Sequence, residues 1–113
     1  MDKKPKIIAE IGINHEGEYD KAIKMVDAAL YSGAECVKFQ CHITEAEMLD
    51  TGMKPGDISD EELWDIIRRC ELTEEEERSI KSYCEERGVL YLCTPFSREA
   101  CDRLEDMGVI GFK

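Results

Sequence analysis

Cys36-Val37-Lys38-Phe39-Gln40 sets a lysine and a glutamine among apolar neighbours, in a run that reads as a β-strand. Side chains alternate across a strand, so if Val37 and Phe39 face one side, Cys36, Lys38 and Gln40 share the other. An ammonium in that setting needs a reason, because desolvating it costs far more than burying its stem returns. One reading is a lysine that snorkels from an edge strand to solvent. The other is a lysine that binds an anion in a cleft.

The flanking segments repeat one unit. On the N-terminal side, Lys6 to Gly12 reads as a first strand, with Ile7, Ala9 and Ile11 on one face and Ile8 and Glu10 on the other. It ends in Asn14-His15-Glu16-Gly17. Ala22, Ile23, Val26, Ala29 and Leu30 then keep helical spacing from Asp20, and Ser32-Gly33 supplies the stop. After Gln40 the pattern loosens through Cys41-His42-Ile43 into a Gly- and Pro-punctuated loop, Thr51 to Asp57. Ser59-Asp60-Glu61-Glu62 and Thr73-Glu74-Glu75-Glu76 match capping boxes that open two helices. The first buries Leu63, Ile66, Ile67 and Cys70, with Trp64 beside the stripe. The second runs through Ile80, Tyr83 and Cys84 to Arg87 and stops at Gly88. The acidic run Glu74 to Glu77 reads as a solvated first turn that complements the helix dipole.

Val89-Leu90-Tyr91-Leu92-Cys93 is near-continuously apolar, as a strand covered on both faces should be. Thr94-Pro95-Phe96-Ser97 ends it. Ser97 is placed to cap a helix that buries Ala100, Cys101 and Leu104 and stops at Met107-Gly108. Val109 to Lys113 opens a fourth strand. Strands alternating with helices imply right-handed crossovers and a parallel sheet, whose C-terminal strand ends all lie on one rim. Glu10, Lys38, Gln40, Thr94 and Lys113 therefore converge on the rim where α/β folds bind ligands.

Composition narrows the partners. With 113 residues the chain is one unit or part of one, and 15 Lys+Arg against 26 Asp+Glu give a formal charge of −11. That field argues against a nucleic-acid or anionic-membrane surface. No apolar run approaches the roughly 20 residues of a membrane span, and the lysine-rich start leads into a charged strand, so a cytoplasmic protein is expected. The six cysteines form no Cys-x-x-Cys pair and fall inside apolar segments, so they read as small buried hydrophobes and not as a disulfide, redox or metal framework.

Ala9-Glu10-Ile11-Gly12-Ile13-Asn14-His15-Glu16-Gly17, Val37-Lys38-Phe39-Gln40, Thr94-Pro95-Phe96-Ser97 and Gly111-Phe112-Lys113 together resemble the start of the sialic acid synthase (N-acetylneuraminate synthase) family. The resemblance follows the whole chain in order and spacing. It implies the first half, about four parallel strands, of a (β/α)8 TIM barrel, with residues 1–113 as its N-terminal portion. The rest of the barrel and the family's antifreeze-like domain would lie outside these residues.

The implied reaction condenses phosphoenolpyruvate with N-acetylmannosamine or a related N-acetylated hexose. A divalent metal, Mn or Mg, would act in a full-length, homodimeric enzyme, with its ligands outside this chain. Carried over residue by residue, Lys38, Thr94 and Lys113 become phosphoenolpyruvate ligands, and Glu10 and Gln40 sit beside the reacting carbons. Glu10 as a structural partner of Lys38 is the alternative. Asp57, in Pro55-Gly56-Asp57, stands where some family members carry a sugar-contacting asparagine, which leaves the acceptor sugar open.

Two other functions stay in view. One is a synthase for another nonulosonic acid or a spore-coat sugar acid. The other is a non-catalytic phosphate-binding or assembly fragment, because half a barrel leaves strand edges that invite pairing. On the half-barrel reading, the isolated 113 residues are expected to be inactive and to self-associate or fold poorly.

Overall fold

The computed structural model describes residues 3–113. Three strands, β1 (Ile8–Gly12), β2 (Cys36–Cys41) and β3 (Leu90–Pro95), form a wholly parallel sheet in the order β1-β2-β3. Helix α1 (Tyr19–Tyr31) carries the chain from β1 to β2. Between β2 and β3 lie a single turn α2 (Thr44–Glu47), a 3-10 turn at Gly56–Ile58, α3 (Leu63–Arg69) and α4 (Glu74–Glu86). Helix α5 (Arg98–Asp106) follows β3.

Alternation decides what the sheet buries. Val37, Phe39, Cys41, Tyr91 and Cys93 point to one face and pack against Ala22, Val26 and Ala29 of α1, Ile80 and Cys84 of α4, and Ala100 and Leu104 of α5. Phe39 and Tyr91 stack with ring centres 5.7 Å apart. Ile8 and Leu90 are partly exposed, and they share the opposite face with Glu10, Lys38, Gln40, Leu92 and Thr94.

The second predicted capping box forms: Thr73 Oγ1 accepts from the Glu76 amide at 3.1 Å, and the Glu76 carboxylate accepts from the Thr73 amide at 2.9 Å. Ser97 caps α5 by accepting from the Ala100 amide at 3.0 Å. The box at Ser59 does not form. Ser59 Oγ accepts from the Glu61 amide two residues on, which closes a local turn and delays the start of α3 to Leu63.

Three further expectations need correction. Glu77 is not part of a solvated turn: it is 3% exposed, because α4 rolls that position onto the sheet, where Arg103 of α5 meets it. Five cysteines are buried, but Cys101 is exposed, one position past the buried Ala100 stripe of α5. The fourth strand is a single parallel bridge, Cys93 to Phe112, supported by the Lys113 amide donating to the Cys93 carbonyl at 3.3 Å.

Candidate functional site

The sheet register brings the predicted rim residues together. Glu10 pairs with Lys38 and Lys38 with Leu92, while Gln40 pairs with Thr94, so four of the five sit on adjacent strands of one face. The Lys38 ammonium is ion-paired with the Glu10 carboxylate. Lys38 is 15% exposed along its side chain and Glu10 49%, so the pair sits with the cation sunk and the anion at its mouth. The ion pair is the contact that a structural partner of a sunken lysine would make. Snorkelling from a free edge does not describe Lys38, since β2 is the central strand.

Gly12 closes this corner. The register slips by one residue between Glu10 and Gly12, a bulge that Gly12 accommodates at φ +58. A Cβ there would lie 3.3 Å from Glu10 Oε1 and 3.4 Å from Gln40 Nε2, so both polar heads converge on the space that glycine leaves open.

Thr94 presents an unpartnered hydroxyl. Its Oγ1 is buried and has no hydrogen-bond partner among the described residues, at the end of β3 directly across from Gln40. A buried hydroxyl left unpaired costs on the order of 1–3 kcal/mol, a penalty that an acceptor oxygen at the rim would remove. Lys113 reaches the same level through its backbone bond to Cys93, with an exposed side chain. Asp57 stands apart. It is exposed on the 3-10 turn and has neither a hydrogen bond nor an ion pair among the described residues.

Two residues absent from the predicted set complete the rim. His42, just past β2, presents Nε2 to Gln40 Oε1 at 2.8 Å and Nδ1 to the Glu47 carboxylate at 2.8 and 2.9 Å. Phe96 stacks on the ring with centres 4.3 Å apart. The signal was the spacing Gln40-x-His42, which keeps both side chains on one side if strand geometry runs one residue further. His15 is also buried. Its Nδ1 accepts from the Gly17 amide at 3.0 Å, and its Nε2 is unpartnered among the described residues. Burial, and then the neighbouring His42, hold the His15 pKa below the usual imidazole range, against a smaller opposing effect of Glu76.

No group of three or more His, Cys, Asp or Glu side chains among the described residues could hold a metal. His42 is committed at both nitrogens, and His15 at one. These residues do not fit a metal centre. Burial raises the Cys41, Cys84 and Cys93 thiols, the last two to about 12. No helix among the described residues is long and apolar enough to cross a membrane.

Comparison with known proteins places this rim in context. The chain is 32% identical over 117 residues to the N,N'-diacetyllegionaminic acid synthase of Campylobacter jejuni, covering 98% of this chain and 35% of that protein. It is 33% identical over 111 residues to the spore coat polysaccharide biosynthesis protein SpsE of Bacillus subtilis, covering 95% of this chain and 29% of that one. The solved structure of SpsE superposes with a TM-score of 0.68 at 30% identity, over 99% of this chain and 29% of that chain. An N-acetylneuraminic acid (sialic acid) synthetase from Leptospira borgpetersenii, solved with citrate, superposes with a TM-score of 0.79 at 25% identity, over 97% of this chain and 35% of that one. The chain thus spans about a third of the length of these relatives, and its parallel strands with helices on one face form a sector of a (β/α)8 barrel. Residues 25–113 match the NeuB family, and the chain belongs to it.

Proposed function

We propose that this chain forms part of a phosphoenolpyruvate-dependent sugar acid synthase, and that N-acetylmannosamine is the acceptor, giving N-acetylneuraminic acid. The observation that carries the reading is the unpartnered Thr94 hydroxyl on the same rim as the sunken Lys38 ammonium. Together they offer a phosphate or carboxylate a charged donor and a neutral one. The excess of 11 negative charges makes a local cation the more necessary for an anionic substrate.

In the proposed reaction C3 of phosphoenolpyruvate bonds to the sugar aldehyde carbon and the aldehyde oxygen takes a proton. Water then adds at C2 and phosphate leaves. Lys38, Thr94 and Lys113 hold the phosphate, so Lys38 exchanges its Glu10 partner for substrate. Glu10, released at the mouth, orients the aldehyde or moves the proton, and Gln40 holds an oxygen of the reacting centre. Asp57 belongs to the acceptor loop in this proposal and meets the sugar only when that loop approaches the rim. A divalent metal, Mn or Mg, belongs to the proposal for the full-length homodimer, with its ligands outside these residues. When bound it would polarise the aldehyde.

A second reading, a synthase for another nonulosonic acid or a spore-coat sugar acid, is favoured by the likeness to the legionaminic acid synthase and to SpsE. The test is full-length protein supplied with phosphoenolpyruvate, Mn or Mg, and a panel of N-acetylated hexoses. Phosphate release and product mass identify the acceptor. Release with none of them overturns the synthase reading.

A further inference from the structure

Gln40 carries a carboxamide whose two ends are nearly the same size and opposite in hydrogen-bonding sense. Left free, it would show the site a donor or an acceptor interchangeably. It is not free. Its Oε1 lies 2.8 Å from His42 Nε2, while its Nε2 lies beside the gap that Gly12 leaves next to Glu10. The Glu47 carboxylate spans His42 Nδ1 at 2.8 and 2.9 Å, and both side chains are only 4% exposed. Phe96 stacks on the ring and fixes its plane. The Nε2 edge of the ring thus faces the Gln40 carbonyl oxygen and the Nδ1 edge faces the Glu47 carboxylate.

We infer that His42, held by Glu47, is a positioning residue that occupies the Gln40 carbonyl and thereby makes the rim present the Gln40 amide N–H as a fixed donor. The group it would receive is an acceptor oxygen of the substrate, a carboxylate or carbonyl oxygen. This rests on the proposed synthase reading for its kinetic consequence, but not for its geometry. The chain of contacts crosses three segments, the end of β2, the turn α2 and the residues after β3, and these meet at the ring. A histidine needed only to fill space would not require a buried carboxylate on one nitrogen and a rim side chain on the other.

The test is a double-mutant cycle in the full-length protein, read as kcat/KM for phosphoenolpyruvate-dependent condensation. His42→Ala is expected to cost about tenfold to a hundredfold, the scale for losing alignment of a group that contacts the reacting atoms. His42→Gln, whose amide nitrogen falls near the place of Nε2, recovers most of the loss. In the Gln40→Ala background, His42→Ala costs less than about twofold further, because its effect passes through Gln40. Gln40→Glu, equal in shape but unable to donate, does no better than Gln40→Ala. Equal losses from His42→Ala in both backgrounds, or no recovery with His42→Gln, overturn the inference.

A readout independent of turnover is the pair of Gln40 side-chain amide signals in 15N-labelled full-length protein. They move in both His42→Ala and Glu47→Gln, and signals that stay in place overturn the positioning role. Wild-type protein inactive with every acceptor sinks the synthase reading, and the amide signals then decide the positioning role by themselves.

Discussion

Glu77→Gln should stabilise this protein at pH 8, although it removes one partner of a buried ion pair. Glu77 Oε1 lies 3.3 Å from an Arg103 guanidinium nitrogen, and Cys41 Sγ lies 3.3 Å from Oε2. Burial of the carboxylate nevertheless outweighs Arg103 and pushes the Glu77 pKa from 4.5 to about 7. A folded-state pKa above the unfolded value means the native state holds the proton more tightly. The stabilisation is therefore complete below about 4.5 and is lost as pH rises to about 7. A shift of that size at about 1.4 kcal/mol per unit corresponds to about 3 kcal/mol. Glutamine copies the protonated acid, so the two proteins should match in stability near pH 4. The variant should then be the more stable by about 3 kcal/mol at pH 8. Urea unfolding across pH 4 to 8 measures the difference, with other titrating groups cancelling between the two proteins. A variant less stable than wild type at pH 8, by the roughly 3–5 kcal/mol typical of a broken buried pair, would refute the reasoning, since Arg103 would then dominate over desolvation.

Thiol titration of the native protein should find one fast thiol, Cys101, and five that react only on unfolding, because the other cysteines are buried. Five fast thiols would remove the cysteines from the core. Gly17→Ala should prevent proper closure of the rim turn, since a Cβ there would lie 2.1 Å from the Arg69 carbonyl oxygen in a backbone conformation at φ +79. Unchanged thermal unfolding would contradict that contact. In the full-length protein Asp57→Asn should shift the preference among acceptor sugars while leaving the phosphoenolpyruvate KM nearly unchanged, because it adds donor capacity to the acceptor loop alone. Identical sugar profiles take Asp57 out of the site.

Fold and rim were legible in the sequence for the same reason. The period-2 alternation of Val37 and Phe39 against Lys38 and Gln40 fixed both the buried face and the polar one, and a parallel register then aligned Glu10, Lys38, Gln40 and Thr94. Where the reading failed, the deciding contact was remote in sequence. Glu77 looks solvated until α5 delivers Arg103 from 26 residues away. Ser59 has the spacing of a capping box, but the Leu63 amide is drawn to the Met53 carbonyl at 2.8 Å, which settles where α3 begins. His42 lies past the end of regular strand spacing, and Glu47 sits on a single-turn helix without periodicity to announce it. Cys101 follows a buried alanine but falls on the outer side of α5, a distinction that a nine-residue helix leaves poorly marked in its pattern.

In the proposed reaction Lys38 is a phosphate ligand that trades Glu10 for substrate. Lys38→Met keeps most of the apolar stem and deletes the charge, so a purely structural lysine would show a change in stability and little else. The decisive measurement is calorimetric titration of phosphoenolpyruvate into full-length wild-type and Lys38→Met protein, with thermal unfolding of both. Loss of one charge-assisted hydrogen bond predicts an affinity weaker by roughly tenfold to a hundredfold, with the fold intact. Equal affinity for phosphoenolpyruvate in the two proteins, whatever their melting temperatures, would contradict it.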